Sequence, residues 1–230
     1  MIVPVNVDVP MERWPWANWG LMLATTVVSF VAFPSMFGMQ PIETWMLYGG
    51  GEWRSDLGLI GSVMTHGDLL HLLGNMVFLF VFGNAVNAKL GHAMFLAVYF
   101  LLGAVSGLVS SWASDVPGLG ASGAIFGIAG MFFVLYPKNH VSVFYFFWIG
   151  FRVLAGTWSI PTWVVIGAYV ALDVVNLVIE QSSGVSSGVG LVAHLSGAAA
   201  GFGLAVVLLL TDRIRATMAE ETLVESLGWR

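Results

Sequence analysis

Residues 118–127 read Gly118-Leu119-Gly120-Ala121-Ser122-Gly123-Ala124-Ile125-Phe126-Gly127 and open one of the most apolar runs in the chain. A lone hydroxyl among glycines, at the start of a helix suited to lipid, is the feature on which the fold turns. The run continues to Tyr136, before Pro137 and Lys138, which gives a helix over Ser122–Tyr136. Fifteen residues rise only about 22 Å, short of the ~30 Å hydrocarbon core of a bilayer. Ser122 is therefore expected roughly 8 Å below one membrane surface, at the submerged end of a truncated helix. The glycine- and proline-rich backbone before it, residues 114–121, then lies at membrane depth. That is tolerated only where protein buries it or water reaches it. A wet cavity is implied.

The composition agrees with a membrane setting. Of 230 residues, 58% are hydrophobic and 9% charged, and the mean hydropathy is +0.87. Soluble domains carry about 25% charged residues. The net charge is −5 with no basic block, so nucleic-acid binding has no support. With no cysteine, disulfides, thiol catalysis and thiolate metal sites are excluded. The first residues lack the basic start and small-residue cleavage site of a signal peptide, so the first apolar segment reads as a retained span.

Six segments read as membrane helices: Asn18–Gly38, Leu69–Ala88, Ala93–Trp112, Ser122–Tyr136, Ile160–Ile179 and Val189–Thr211. The expected fold is an all-α polytopic bundle of six membrane helices with a short fourth helix. A large external first loop, Met39–Gly67, precedes the second span. Val141–Thr157 is interrupted by Arg152 too early to cross, and reads as an amphipathic segment at the interface. Residues 1–17 and 212–230 are expected as cytoplasmic segments flanking a membrane domain over 18–211. This arrangement puts Arg13, Lys89, Lys138, Arg152, Arg213, Arg215 and Arg230 inside and only Arg54 outside, a strong positive-inside bias. The expected location is the cell (inner) membrane, with the cavity facing outside.

Polar residues within spans are costly and mark function. The second span carries His71 and Asn75, one turn apart on one face; the fifth carries Asp173 and Asn176; the sixth carries His194. Counting from the helix ends, Ser122, Asn75 and His194 fall at similar depth, the last two about 9 and 7 Å down. Gly123 and Gly127 form one GxxxG face, and Gly197 and Gly201 form another beside His194. Such faces let membrane helices touch backbone to backbone. If these two meet, His194 falls beside Ser122, the geometry of a nucleophile and its base. Taken singly, Ser122 would be a helix cap and His194 a packing residue; together they point to catalysis.

The pattern His71-xxx-Asn75, Gly120-Ala121-Ser122-Gly123 and Ala193-His194-Leu195-Ser196-Gly197-xxx-Gly201 resembles the rhomboid family of intramembrane serine proteases, in its bacterial six-helix form. The resemblance runs from about Trp53 to Thr211. It implies a Ser122–His194 dyad and an oxyanion site made of the Asn75 amide, the His71 ring and the Ser122 backbone N–H. Gly120 and Gly123 would lie at that oxyanion and substrate side. Phe126 would stack under His194, while Gly127, Gly197 and Gly201 would support the close helix contact. Trp53-Arg54 and His66 also resemble the family. Two positions depart from it. Asn87-Ala88-Lys89 stands where many members have Glu-x-Arg, and Phe126 where some have tyrosine.

The implied partners are transmembrane segments of other proteins, entering from the lipid bilayer and unwinding before attack, which favours helix-weakening residues near the cut. The fifth span and the Glu180–Gly188 loop are the expected gate and cap. No cofactor is called for. The dyad is expected to work without an acid, with Asp173 merely facing the wet interior. His66, Asp68 and His71 suggest a metal site, but their spacing is off one helical face and no HExxH motif is present, so no metal is expected. His66 reads as a structural loop residue.

Overall fold

Long apolar runs fold as helices in this chain because a backbone in lipid must satisfy its own hydrogen bonds. The computed structural model describes residues 2–32, 58, 61–113, 119–184, 190–216 and 220–229. Helix α1 covers Trp16–Ala32 and α2 Leu69–Leu90; α3 follows over His92–Ala113 and α4 over Ser122–Leu135. After two strands come α5 (Thr162–Ser183), α6 (Leu191–Leu210) and the short α7 (Leu223–Ser226).

The expectation of six membrane helices is corrected here. Among the described residues, four helices are long and apolar enough to cross a bilayer: α2, α3 and α5 with 22 residues each, and α6 with 20. Helix α4 has 14 residues, below spanning length, and the described part of α1 has 17. The expected fourth span, Ser122–Tyr136, forms the 14-residue α4 and is not among the helices of spanning length. Most of the large first loop, with Trp53 and Arg54, lies outside the described residues, as do residues 114–118 and 185–189.

Short α4 can still sit among long helices because it is central. It packs against α2, α3, α5 and α6, and nearly every residue from Gly123 to Leu135 is buried. A helix that is apolar all round belongs in an interior. By contrast, α5 exposes Trp163, Leu172, Val174, Val175, Val178 and Ile179, the pattern of a helix facing lipid. Helix α2 contains one widened π turn at Leu79–Gly83. The turn is filled by Asn18 of α1, whose side-chain amide donates to the Leu79 carbonyl at 2.8 Å and to Asn84 Oδ1 at 2.8 Å. An added Cβ at Gly83 would stand 2.7 Å from Asn18 Oδ1, so this glycine admits the asparagine.

The segment expected as an interfacial amphipathic stretch is instead a β-hairpin, and this addition to the helical bundle is a second correction. Strand β2 (His140–Ile149) pairs antiparallel with β3 (Arg152–Pro161) without a register break. Gly150, at φ +59, opens the two-residue turn, a conformation that glycine adopts at little cost. An N-terminal strand β1 (Ile2–Val7) pairs antiparallel with the other edge of β2, giving the order β1-β2-β3. Val141 and Val143 are buried and point to one face, which docks the sheet on the bundle.

At the end of the bundle opposite Ser122, charges gather. Lys89 at the end of α2 is buried and pairs with Glu12 at 2.7 Å and with Glu220. Lys138, just past α4, pairs with Glu221. The departure Asn87-Ala88-Lys89 thus still carries an ion pair. Its partners come from the two terminal segments, and Asn87 accepts from the backbone N–H of Asn18 at 3.1 Å.

Candidate active site

Backbone contact between two helices places the candidate residues. A Cβ added to Gly197 would collide with the Gly123 carbonyl oxygen, one on Gly201 with the Gly127 carbonyl, and one on Gly130 with the Ala198 carbonyl. Helices α4 and α6 therefore touch through their backbones along three turns, as small-residue faces allow. This brings the first residue of α4, Ser122, and the first turn of α6, with His194, onto the wall of one cavity of about 600 Å³. His71, Asn75, Gly120, Gly123, Phe126 and Asp173 line the same cavity. Ala121, not Ser122, is the cap position of α4, and its side chain caps nothing. The Ser122 hydroxyl is thus not spent on capping its own helix.

His194 is held on two sides. Its ring lies flat on Phe126, with centroids 4.1 Å apart and planes 8° from parallel. Its Nδ1 lies 2.9 Å from Asp173 Oδ2 on α5, and both side chains are largely buried. The sequence reading assigned Asp173 only to the wet interior; the structure places it on the imidazole. Depth alone could have suggested this. Their separation of 21 positions, on different helices, carries no periodic signal. No hydrogen bond between Ser122 and His194 is among the contacts of the described residues.

Asn75 and His71 sit across the cavity on α2, which starts at an Asp68 cap that accepts from the His71 backbone N–H at 2.8 Å. The Asn75 amide donates to His66 Nε2 at 2.8 Å, and the Ala121 backbone N–H reaches the same nitrogen at 3.4 Å. An Nε2 that receives two donors must be unprotonated, so the His66 proton is on Nδ1, 3.0 Å from Ser29 Oγ. The Ser29 hydroxyl in turn donates to the Met64 carbonyl at 3.1 Å. His66 is fully buried, and that burial lowers its pKa to about 4, with the nearby His71 ring adding to the effect and Asp68 opposing it. His66 is therefore more than a loop residue: it fixes Asn75 and joins α1 and α2 to the backbone before Ser122. An amide nitrogen carries two hydrogens, so Asn75 keeps one for the cavity.

Gly120 is required twice over. Its φ is +113, and a Cβ there would stand 2.7 Å from the His71 ring. Gly123 faces Ser106 of α3, where a Cβ would overlap the serine side chain. Among the described residues no group of three or more His, Cys, Asp or Glu side chains is arranged to hold a metal.

Residues 51–211 match the rhomboid domain family. Rhomboid protein 1, mitochondrial, of Saccharomyces cerevisiae is 32% identical over 112 residues, 46% of this chain and 32% of that protein. Rhomboid protease GluP of Bacillus subtilis is 30% identical over 118 residues, 48% of this chain and 23% of that protein. Rhomboid protease GlpG of Klebsiella pneumoniae is 23% identical over 206 residues, 86% of this chain and 65% of that protein. The chain thus spans a third or less of the length of the first two relatives. With a family match over well more than half its residues, the chain belongs to the rhomboid family.

Proposed function

We propose that this chain is an intramembrane serine endopeptidase that cuts transmembrane segments of other membrane proteins. One observation carries the reading: backbone contact between α4 and α6 puts the Ser122 hydroxyl and the His194 imidazole on one cavity inside an apolar bundle. Neither residue type needs to be there for packing, and each is costly in lipid.

In this reading the Ser122 hydroxyl oxygen attacks the scissile carbonyl carbon while its proton passes to His194. The carbonyl electron pair moves onto oxygen, and the resulting oxyanion accepts hydrogen bonds. Its donors are the free Asn75 amide hydrogen, the His71 ring and the backbone N–H of Ser122 at the positive end of α4. Collapse breaks the C–N bond as His194 returns the proton to the leaving amine. Water entering the cavity then hydrolyses the acyl-enzyme by the same steps. No cofactor or metal takes part. Gly120 makes room for the His71 ring and Gly123 for Ser106 beside the site, and Trp53-Arg54 belong to the same family pattern outside the described residues.

Orientation follows from charge. Lys89 and Lys138, with their partners from both terminal segments, mark one end of the bundle, and Ser122 is at the other end of α4. Basic residues favour the cytoplasmic side, so the cavity opens to the outside of the cell membrane and both termini stay within.

The test is labelling with a fluorophosphonate and cleavage of a model transmembrane substrate in membranes. Wild type is expected to do both. Ser122→Ala and His194→Ala should each lose labelling and at least about 10³-fold in cleavage, as when a nucleophile or its base is removed. Equal labelling of all three proteins ends the proposal.

A further inference from the structure

We propose that Asp173 is a positioning residue of this site, one that holds His194 in the tautomer and orientation a base for Ser122 needs. The inference deepens the protease reading and rests on it. Its ground is the 2.9 Å contact between Asp173 Oδ2 and His194 Nδ1, made between two helices and largely shielded from solvent.

An ionised carboxylate only accepts hydrogen bonds. Nδ1 must therefore carry the proton, which leaves the lone pair on Nε2, the other edge of the ring. That is the edge free to receive the Ser122 proton. The Phe126 ring, stacked at 4.1 Å, covers one face and fixes the plane. Stacking alone accepts both ring orientations related by a 180° flip about Cβ–Cγ, which exchange Nδ1 with Cδ2; a bond at Nδ1 selects one of them. The two contacts together define the ring completely.

The charge balance of the reaction gives Asp173 a second effect. As Ser122 Oγ bonds to the carbonyl carbon, its proton moves to Nε2 and His194 becomes a cation. The carboxylate next to it stabilises that cation and keeps its own negative charge throughout; no proton passes to Asp173. When His194 releases the proton to the departing amine, the pair returns to its starting state.

The location of Asp173 also calls for such a role. It is 8% exposed on a helix whose other faces meet lipid or core, where a carboxylate is costly unless paired. The other charged and titratable groups around the cavity are His71 and Tyr169, with Asp68 at the mouth. The described lysines lie at the far end of the bundle in their own ion pairs. Among the ion pairs of the described residues, the partner of Asp173 is His194.

Two measurements test this. In purified protein labelled with ¹⁵N-histidine, the His194 resonance, assigned by its loss in His194→Ala, should report the Nδ1–H tautomer in otherwise unaltered protein. Finding the proton on Nε2 overturns the proposal whatever the variants do. In cleavage of a reconstituted transmembrane substrate, Asp173→Asn should lower kcat by about tenfold or more with KM changed less than about twofold, the signature of a lost transition-state interaction. Asp173→Glu should recover part of kcat, since it restores the charge. A tie that only braces α5 would instead lower thermal stability and leave kcat intact. If Asp173→Asn keeps the wild-type kcat, the positioning role is wrong while the protease reading stands. If wild type neither cleaves nor takes the fluorophosphonate, the protease reading fails, and the positioning role that rests on it falls too.

Discussion

His66 shows at the scale of one residue how this bundle commits an imidazole to a single state. Two N–H donors meet at Nε2 and the Ser29 hydroxyl sits at Nδ1, so a second proton has no acceptor to meet. Its pKa falls from 6.5 to about 4 in the folded protein. The unfolded chain therefore binds a proton between these values while the folded one does not. Stability from His66 is complete above about pH 6.5 and is lost as pH falls towards 4, by up to about 3 kcal/mol. Chemical unfolding in detergent, followed at pH 7 and pH 5, should show this loss in wild type. In His66→Gln, whose amide can still accept and donate, the loss should be visibly smaller. An unchanged pH slope would mean that another group titrates.

Among the elements, the α4–α6 contact decides the most. The glycines of α6 make opposite demands although they share one helix. Gly201 faces the Gly127 carbonyl, where a methyl group cannot fit, whereas a Cβ added to Gly203 would meet nothing within 4 Å. Gly201→Ala should destabilise the protein by about 1–3 kcal/mol or more, the usual cost of forcing extra volume into a packed contact. Gly203→Ala should be neutral or stabilising by up to about 1 kcal/mol, through helix propensity alone. Thermal unfolding of the two variants side by side checks the difference. Gly201→Ala should also reduce cleavage, because separating α4 from α6 moves His194 away from Ser122. Equal melting temperatures would show that backbone contact does not hold this pair together.

Across the whole molecule, the reactive cavity and the charged clamp occupy opposite ends of α4. Lys89 gathers Glu12 from the N-terminal segment and Glu220 from the C-terminal one, and the Lys89 and Glu220 side chains are 3% and 1% exposed. Removing the cation breaks the buried Lys89–Glu220 pair from one side, a change that typically costs about 3–5 kcal/mol. Lys89→Ala should lower the melting temperature and open both terminal segments to limited proteolysis. Glu12→Gln, on the more exposed partner, should do much less. Protease resistance equal to wild type in Lys89→Ala would show that the clamp does not fasten the termini.

The sequence by itself determined that this chain belongs in a membrane, that Ser122 starts a helix too short to cross, and which small residues could let two helices touch. These follow from composition, length and spacing, which are local properties. Glycines at i and i+4 announce a close contact before the partner is known, and polar residues in apolar runs stand out because lipid makes them costly. Only the tertiary structure decided that short α4 survives by being surrounded, packed against α2, α3, α5 and α6. It also decided that the aromatic run after α4 pairs as a hairpin and captures β1. Strand pairing depends on a distant partner, and short apolar runs read alike as strand or helix. The Asp173–His194 and His66–Asn75 bonds were hidden for the same reason. Each joins elements whose approach depends on packing rather than on the spacing of residues along the chain.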